Sequence, residues 1–374
     1  MNLRCRFFLI GAIFLVLFWP LMGQDDVTQK DVEDLFFIPC PTGYEDQMAE
    51  KIIQQLPDEN GISRGLLGNV YFSVEGSLPS LSIVCGMDEI GYIVGGIDPQ
   101  GYLTLDRVVS APHPLFDSFF PGHPMQVWTE DGTVQAVMAL PSLHIFPRAE
   151  RENFHEYFTL QKMKLDIGAS SREQALDQGI LNCAPVTPGK KISHLADGKI
   201  AGYSMGRKAC AALVLKLAEN TFSDGSQGKI NFAWLAQTLM AARGSRPRAS
   251  VGGVRAQKYL DSSQNIIIDI FPTDSLYKQE VQIGKGPVLI INGESETKTA
   301  SWIVQNAKEQ GIPIQRAEIR GSLLYNAFLK ENEDFAGFFL PVKFSSSPSE
   351  VIDLKDIAAM YKLIASVVSE RRSP

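Results

Sequence analysis

Histidine is scarce in this sequence: there are five in 374 residues, and none follows His194. Histidine is the commonest metal ligand and a frequent general base, so any site that needs one in the rest of the chain is excluded. The five lie in or beside one β-rich region, mainly in proline-flanked loops. We therefore expect loop positions for them rather than a separate metal or ligand site. They are His113, His123, His144, His155 and His194.

Paired cysteine motifs are also absent. No C-x-x-C spacing occurs, which excludes a structural zinc knuckle. Beyond Cys5, the remaining Cys40, Cys85, Cys183 and Cys210 allow two disulfides in three possible connectivities. The alternative is that they stay reduced. Cys85 and Cys210 lie in apolar runs, which predicts small buried hydrophobic side chains.

An excess of basic residues is lacking as well. The formal net charge is −7, with 35 basic and 42 acidic residues, so we predict no nucleic-acid partner. The hydrophobic fraction of 45% is enough for a large core and excludes a disordered chain. The length suits one large α/β domain or two ordinary domains.

The N-terminus has the pattern of a secretory signal peptide. Two arginines in residues 1–6 precede an apolar run over 7–22, and the chain turns polar from Gly23. An apolar run of about 16 residues is short for a bilayer span. We expect cleavage after residue 23, export to the periplasm or outside the cell, and no membrane span afterwards. Because residues 21–23 are not a clean small-x-small site, an uncleaved anchor is the alternative.

The rest of the chain alternates between two patterns. Residues 91–189 have a turn about every ten residues, which is typical of a small β-barrel. Residues 24–90 and 190–374 alternate strands with helices, which predicts a mostly parallel sheet flanked by helices. The fold class is thus α/β with an inserted β-barrel domain. We predict helices over 208–219, 298–310 and 354–370, and core strands over 70–74, 81–85, 230–237, 265–271 and 338–341.

One local motif suggests a nucleophile. Residues 202–206 (GYSMG) form a G-x-S-x-G between a short strand and a helix. An α/β-hydrolase needs its histidine after the serine, and every histidine precedes Ser204, so that fold is excluded. Pairing with His194 and a plain glycine turn before a buried helix are the two remaining interpretations.

A second motif places two acids at the end of an apolar strand. In residues 87–91 (MDEIG), Asp88 and Glu89 are adjacent and should point to opposite faces. One of them then faces a cleft, or both lie at a solvated strand end.

Six fragments in register resemble one family. They are TGYE at 42–45, GN at 68–69, MDEIG at 87–91, DIGASS at 166–171 followed by GI at 179–180, GKGP at 284–287, and SPSE at 347–350. Together they resemble the glutamyl and deblocking aminopeptidases, which form tetrahedral (TET) assemblies and are sometimes labelled endoglucanase M. The resemblance implies a metallopeptidase with two zinc or cobalt ions, a bridging carboxylate and a carboxylate general base.

The positions that should carry this chemistry are mostly neutral. Against the family pattern, Gly86 stands for the first metal histidine, Met205 for the bridging aspartate, Thr238 for the general base, Leu239 for a glutamate ligand and Ser346 for the second histidine. Only Asp269, at a terminal ligand position, and Asp88, which would orient the first histidine, are retained, along with Arg207. Such a set cannot offset the charge of a divalent ion, so no metal cofactor is predicted.

The sequence therefore predicts an exported, catalytically inactive relative of these peptidases. Its role would be binding, of peptides in the former cleft, or assembly into a homo-oligomer. Arg207, Arg243 and Arg246 either attract an anionic ligand or are exposed to solvent.

Two alternatives remain open. One is an active aminopeptidase or other hydrolase with an atypical site, in which Ser204 is the nucleophile and Asp88 or Asp269 the acid. The other is a structural protein of the cell envelope. Neither the ligand nor the oligomeric state follows from the sequence.

Overall fold

The computed structural model describes most of the chain. The described residues are 26–76, 78–113, 115–139, 143–145, 147–148, 159–224, 228–260, 262–273, 281–291, 296–319, 321–329 and 334–370. The expected signal peptide and His155 lie outside these ranges. Within them, no helix has both the length and the apolar character needed to cross a bilayer.

The described residues form eight α-helices and seventeen strands. The helices are α1 Gln29–Phe36, α2 Asp46–Gln55, α3 Arg172–Asp177, α4 Met205–Asp224, α5 Val251–Ala256, α6 Lys298–Gln310, α7 Leu323–Phe328 and α8 Leu354–Glu370. The strands are β1 Ile62–Arg64, β2 Val70–Val74, β3 Leu78–Gly86, β4 Tyr92–Ile97, β5 Leu103–Arg107, β6 Pro124–Thr129, β7 Gly132–Ala139, β8 Lys164–Asp166, β9 Pro185–Pro188, β10 Ser193–Leu195, β11 Lys199–Gly202, β12 Gly228–Leu235, β13 Gln264–Pro272, β14 Val288–Ile290, β15 Gln315–Ala317, β16 Phe335–Val342 and β17 Glu350–Asp353.

An eight-stranded sheet forms the centre of the molecule, in the order β1-β2-β12-β3-β13-β16-β14-β15. Its four middle strands, β12, β3, β13 and β16, are mutually parallel. Every residue of β16 is buried, because helices cover both faces of the sheet. Phe338 belongs to the core on one face and Phe339 to the core on the other. The predicted α/β class is confirmed.

Local signals explain why several helices begin and end where they do. Thr28 caps α1 in a reciprocal pair with Asp31. Thr297 caps α6 by accepting from the Ala300 N–H, and Gly311 ends it in a left-handed conformation with φ of 66°. The bounds of α6 and α8 therefore match the predicted helices over 298–310 and 354–370.

The inserted segment closes into a six-stranded barrel in the order β4-β5-β8-β7-β6-β9. Its strands run from Tyr92 to Pro188 and enclose a separate hydrophobic core. Tyr203, from the turn before α4, packs into that core and donates its hydroxyl proton to the Ile90 carbonyl oxygen at 2.5 Å. The barrel is thereby joined to the sheet next to the start of α4.

Several details differ from the sequence predictions. The helix expected over 208–219 is longer and spans Met205–Asp224 as α4. A second sheet, antiparallel in the order β10-β11-β17, was not expected. The strand expected over 230–237 ends at Leu235, because Gln237 adopts a left-handed backbone with φ of 52°.

The cysteines of the described chain are reduced. Cys40, Cys85, Cys183 and Cys210 all carry free thiols, so the two disulfides considered above do not form. Cys85 and Cys210 are buried in the sheet core, as their apolar surroundings predicted.

Candidate functional site

The candidate site lies where the parallel strands end. The carboxyl ends of β3, β12, β13 and β16 meet at one edge of the sheet, where α/β proteins place their ligands. The first turn of α4, after β11, reaches the same edge. The positions singled out in the sequence arrive there on these elements, and they lie in long-separated parts of the chain.

Arg207 lies at the centre of this edge. Its Nη2 is 3.2 Å from Asp269 Oδ1, and its Nη1 is 3.7 Å from Asp88 Oδ1. Nη1 also donates to Thr238 Oγ1 at 2.9 Å. The side chain is only 12% exposed, so the alternative of a solvent-exposed arginine is wrong. Burial by itself would lower the pKa of Arg207, but the charges of Asp269 and Asp88 outweigh it and raise that pKa.

Asp88 is fully buried and satisfied by protein groups. Its Oδ2 accepts from Thr42 Oγ1 at 2.9 Å and from the Leu239 N–H at 3.0 Å. Its Oδ1 accepts the hydroxyl proton of Thr238. Thr238 thus links Arg207 to Asp88. Of the two alternatives for this motif, the solvated strand end is wrong, because Asp88 and Glu89 are both buried.

Gly86 cannot be exchanged for a residue with a side chain without displacing its neighbours. A Cβ placed there would lie 2.5 Å from Thr238 Oγ1 and 2.7 Å from Arg207 Nη1. The space where the family pattern has a metal-binding histidine is therefore filled by Thr238 and the guanidinium of Arg207. Gly86, Thr238 and Arg207 pack against one another. We call these three residues, together with Asp88 and Asp269, the Arg207 cluster.

Glu89 faces away from Asp88, as the alternation of strand side chains predicted. It is fully buried and pairs with Lys190 Nζ at 2.5 Å and Lys208 Nζ at 3.6 Å. Burial opposes ionisation, but the two ammonium groups outweigh it and lower the pKa of Glu89. This ion triad holds the segment after β3 against α4 and the end of the barrel.

Glu350 joins Ser346, which stands where the family pattern has its second metal histidine, to the start of α4. Its Oε1 accepts from the Ser346 N–H at 2.8 Å, and its Oε2 accepts from the Gly206 N–H at 3.2 Å. Burial raises the pKa of Glu350, and these two donors only partly offset that effect. Met205, at the bridging-aspartate position, is fully buried in the hydrophobic core and offers no charge to the site.

A cavity of about 100 Å³ opens beside the Arg207 cluster. Its walls carry one positive group, one carboxyl group, two hydroxyls, a phenol ring and three aliphatic side chains. They are Arg207, Glu350, Ser204, Ser346, Tyr203, Ile90, Leu239 and Ile270. The cleft expected from the sequence is thus present, and four of the positions singled out there line it.

Ser204 has the backbone of a strained turn. Its φ is 57°, in the left-handed region, and the residue is 7% exposed. No described histidine bonds to it. His194 contacts Gln29 at 3.3 Å and lies 4.0 Å from Glu33, so the pairing of His194 with Ser204 does not occur. The structure does not assemble the nucleophile considered above.

Arg243 and Arg246 are not part of the site. Both are exposed in the segment after Leu239, and neither lines the cavity. The structure brings only Arg207, of the three arginines, to the retained acids.

Four residues near the site were not recognised from the sequence. They are Glu45, Glu350, Lys190 and Lys208. Glu45 Oε1 accepts from the Gly43 N–H at 2.9 Å and from the Gln237 N–H at 2.8 Å. Burial and the charge of Asp88 raise the pKa of Glu45 to about 7. The signal was present, since Glu45 and Glu350 end the TGYE and SPSE fragments.

The residues at this edge do not fit a dinuclear metal centre. In the ranges that the structure describes, no three His, Cys, Asp or Glu side chains are grouped to hold a metal ion. The two retained acids, Asp88 and Asp269, already contact the guanidinium of Arg207, which is a permanent cation. A metal ion at the same place would meet this positive charge.

Comparisons with known proteins agree with the fold. A family model described as M42 glutamyl aminopeptidase matches residues 68–363. A lysyl aminopeptidase of Pyrococcus furiosus is 24% identical over 343 residues, covering 89% of this chain and 94% of the relative. The putative aminopeptidase SgcX of Escherichia coli is 24% identical over 87% of this chain and 89% of its own length.

Solved structures give the same picture. The Pyrococcus horikoshii TET1 peptidase, which can assemble into a tetrahedron or a large octahedral shell, superposes with a TM-score of 0.78 at 22% identity. It covers 91% of this chain and 98% of its own. A TET aminopeptidase from a marine sediment archaeon gives a TM-score of 0.77 at 20% identity, covering 91% and 96% of the two chains.

A double-mutant cycle tests the packing of the Arg207 cluster. We expect Gly86→Ala to lower the free energy of unfolding by about 1 to 3 kcal/mol, because the new Cβ overlaps Thr238 Oγ1. Thr238→Ala makes room for the new Cβ. The loss of unfolding free energy in the double variant should therefore be smaller, by at least about 0.5 kcal/mol, than the sum of the losses in the two single variants. Urea denaturation measures this, with Thr129→Ala in the barrel as a control partner. Additive losses with Thr238→Ala would contradict the contact.

The raised pKa of Glu45 predicts a pH dependence of stability. Its folded pKa of about 7 exceeds the ordinary value of 4.5, so its contribution is fully present below 4.5 and is lost as the pH rises through 7. As the pH falls from about 8 to about 5, Glu45 should raise the free energy of unfolding of the wild type by on the order of 2 kcal/mol, and Glu45→Gln should remove this rise. Denaturation at both pH values measures it. Glu50→Gln, at an exposed position of α2, the helix that follows Glu45, should keep the wild-type slope. An unchanged slope in Glu45→Gln would disprove the assignment.

Proposed function

We propose that this chain, which belongs to the M42 glutamyl aminopeptidase family, is a member that binds peptides without hydrolysing them. It keeps the aminopeptidase fold, a sheet with an inserted barrel. The function proposed for it is recognition of a peptide amino terminus in the cavity beside the Arg207 cluster.

One observation carries the proposal: the guanidinium of Arg207 lies between Asp88 and Asp269, and its Nη1 is 2.9 Å from Thr238 Oγ1. Peptide hydrolysis by this family's chemistry needs a metal-activated water and a carboxylate base. Here a side-chain cation replaces the ions, and the base position carries a hydroxyl whose proton is given to Asp88. A hydroxyl is too weak a base to activate water at neutral pH.

The cavity retains groups that suit an ammonium ion. A primary ammonium has three N–H donors, and the carboxyl of Glu350 and the hydroxyls of Ser204 and Ser346 can accept from them. Asp88 and Asp269 already offset the charge of Arg207, which leaves the Glu350 carboxyl group as the acid that faces an ammonium ion in the cavity. A free peptide amino terminus supplies that group.

Self-association is part of the proposal. Solved relatives assemble into closed shells, and this chain has the same sheet and barrel. We expect sedimentation velocity to show a closed homo-oligomer at micromolar concentration. A monomer across the tested range would remove assembly from the proposal without affecting the binding site.

Export is the remaining part. It rests on the order of a basic segment, an apolar run and a polar turn in residues 1–26. An uncleaved anchor is the alternative.

Metal analysis with an aminopeptidase panel tests the lack of hydrolysis. Purified protein dialysed after incubation with zinc or cobalt should retain far less than one ion per chain, because Arg207 covers the retained acids. It should bind alanine tripeptide without releasing alanine, with or without either metal. Stoichiometric retention of metal, together with metal-dependent release of amino-terminal residues, would overturn the proposal.

A further inference from the structure

The segment between β12 and β13 carries positive charge that the candidate site does not use. Residues 225–260 contain no aspartate or glutamate, although the whole chain has 42 acidic residues. The same stretch holds four arginines and two lysines. Cations grouped on one face repel one another unless an anion lies nearby. A group of them here would need an anion from outside the segment.

Three of these arginines lie in one tight loop over 243–248. The Ala242 N–H closes the loop by donating to the Ala249 carbonyl oxygen at 2.8 Å. Inside the loop, Ser245 Oγ donates to the Ala242 carbonyl oxygen at 2.9 Å and accepts from the Ala249 N–H at 2.9 Å. All three arginines of the loop are exposed: Arg243, Arg246 and Arg248.

The loop is fixed to the neighbouring helix α7. Asn326 Nδ2 donates to the Arg248 carbonyl oxygen at 2.9 Å, and the Ser250 N–H donates to the Leu323 carbonyl oxygen at 2.8 Å. Helix α5 begins directly afterwards, and Ser250 caps it by accepting from the Gly253 N–H at 3.0 Å. The loop, α5 and α7 are thereby held together, so a space between them has fixed walls.

A pocket of about 420 Å³ lies between the loop, α5 and the end of α7. We call it the basic pocket, because Arg246 and Lys258 both line it and none of the described residues in its walls is acidic. Its volume is in the range of small-molecule sites. The other walls combine aliphatic side chains with one hydroxyl and two amides. They are Ser245, Pro247, Ala249, Val254, Gln257, Asn326, Ala327 and Leu329.

The two cations of the basic pocket have no anionic partner among the described residues. Buried cations elsewhere, such as Lys190 and Arg207, pair with carboxylates, whereas Arg246 and Lys258 form no such pair. The wall amides are already engaged, since Gln257 Nε2 donates to the Ala327 carbonyl oxygen and Asn326 Nδ2 to that of Arg248. The guanidinium and the ammonium group are therefore the donors left for a ligand.

An oxyanion with an apolar body suits this combination of walls. An arginine fork donates two N–H groups to phosphate oxygens, and a lysine ammonium group binds the same anion as a point charge. The aliphatic part of the pocket includes Val254, which is 36% exposed, and Leu329. Such side chains gain free energy when an apolar group covers them.

We propose that the basic pocket binds a small phosphate ester, with its phosphate group at Arg246 and Lys258 and its apolar part against Val254 and Leu329. The pocket shares no lining residue with the cavity beside the Arg207 cluster, so the inference does not rest on the proposed function. An anionic ligand, one of the two interpretations of Arg246 from the sequence, thus applies at this pocket rather than at the cavity.

Calorimetry with three probes tests the class of ligand. Hexyl phosphate, inorganic phosphate and hexanol are each titrated into the full chain in a phosphate-free buffer of low ionic strength. We expect hexyl phosphate to bind at least about tenfold more tightly than inorganic phosphate, because its methylene groups leave water. Hexanol should bind at least about tenfold more weakly than hexyl phosphate, because it lacks the charged group.

Substitutions in the walls locate the site. Arg246→Ala and Lys258→Ala should each weaken hexyl phosphate binding at least about tenfold, the effect of losing a hydrogen bond to a charged group. Arg246→Lys keeps the charge without the fork, so its loss should be smaller than that of Arg246→Ala. Lys308→Ala, at an exposed position of α6, is the matched control and should bind like the wild type. Thermal unfolding verifies that each variant is folded.

The outcomes separate this inference from the proposed function. Weakened binding in Arg246→Ala and Lys258→Ala, with Lys308→Ala unchanged, supports the site. If hexyl phosphate does not bind the wild type, or binds both pocket variants as tightly, the site is wrong. Equal affinity for hexyl phosphate and inorganic phosphate would overturn the proposed class of ligand. Alanine tripeptide should bind Arg246→Ala like the wild type, because the cavity does not include this residue.

Discussion

The contact of Arg207 with Asp88 and Asp269 is the interaction on which the candidate site depends. Two buried carboxylates at one sheet edge repel each other and need a cation nearby. The family pattern supplies metal ions, whereas this chain supplies a guanidinium at 3.2 and 3.7 Å. Removing a partner from a buried ion pair is far more costly than replacing the whole set. The neutral residues around the pair are therefore compatible with a stable fold.

The other substitutions follow from that contact. A histidine at position 86 would overlap Arg207 and Thr238, so glycine there is required by the packing. Met205 fills the hydrophobic core instead of bridging ions, and Leu239 contributes a backbone N–H to Asp88 rather than a carboxylate. Each change looks like the loss of a ligand in the sequence. In the structure they are one consistent set of contacts.

The scaffold around the site keeps its polar anchors. Glu350 fixes the loop over 344–349 to α4, and Glu45 fixes the turn after β12, where Gln237 is left-handed. Glu89, between Lys190 and Lys208, holds the barrel end against the sheet. These anchors fix the shape of the cleft at the carboxyl ends of the parallel strands, and a fold of this kind does not by itself define a function.

The sequence alone determined the local elements and the family. Capping residues set the bounds of α6, and apolar periodicity predicts α8, because those signals act within a few residues. It also determined that no histidine follows His194, since a residue type is visible without a structure. Only the tertiary structure decided that Arg207 is buried between Asp88 and Asp269, that no described histidine pairs with Ser204, that Arg243 is exposed and that the four described cysteines stay unpaired. Those facts depend on distances between residues far apart in the chain, and such distances exist only after the strands have packed side by side.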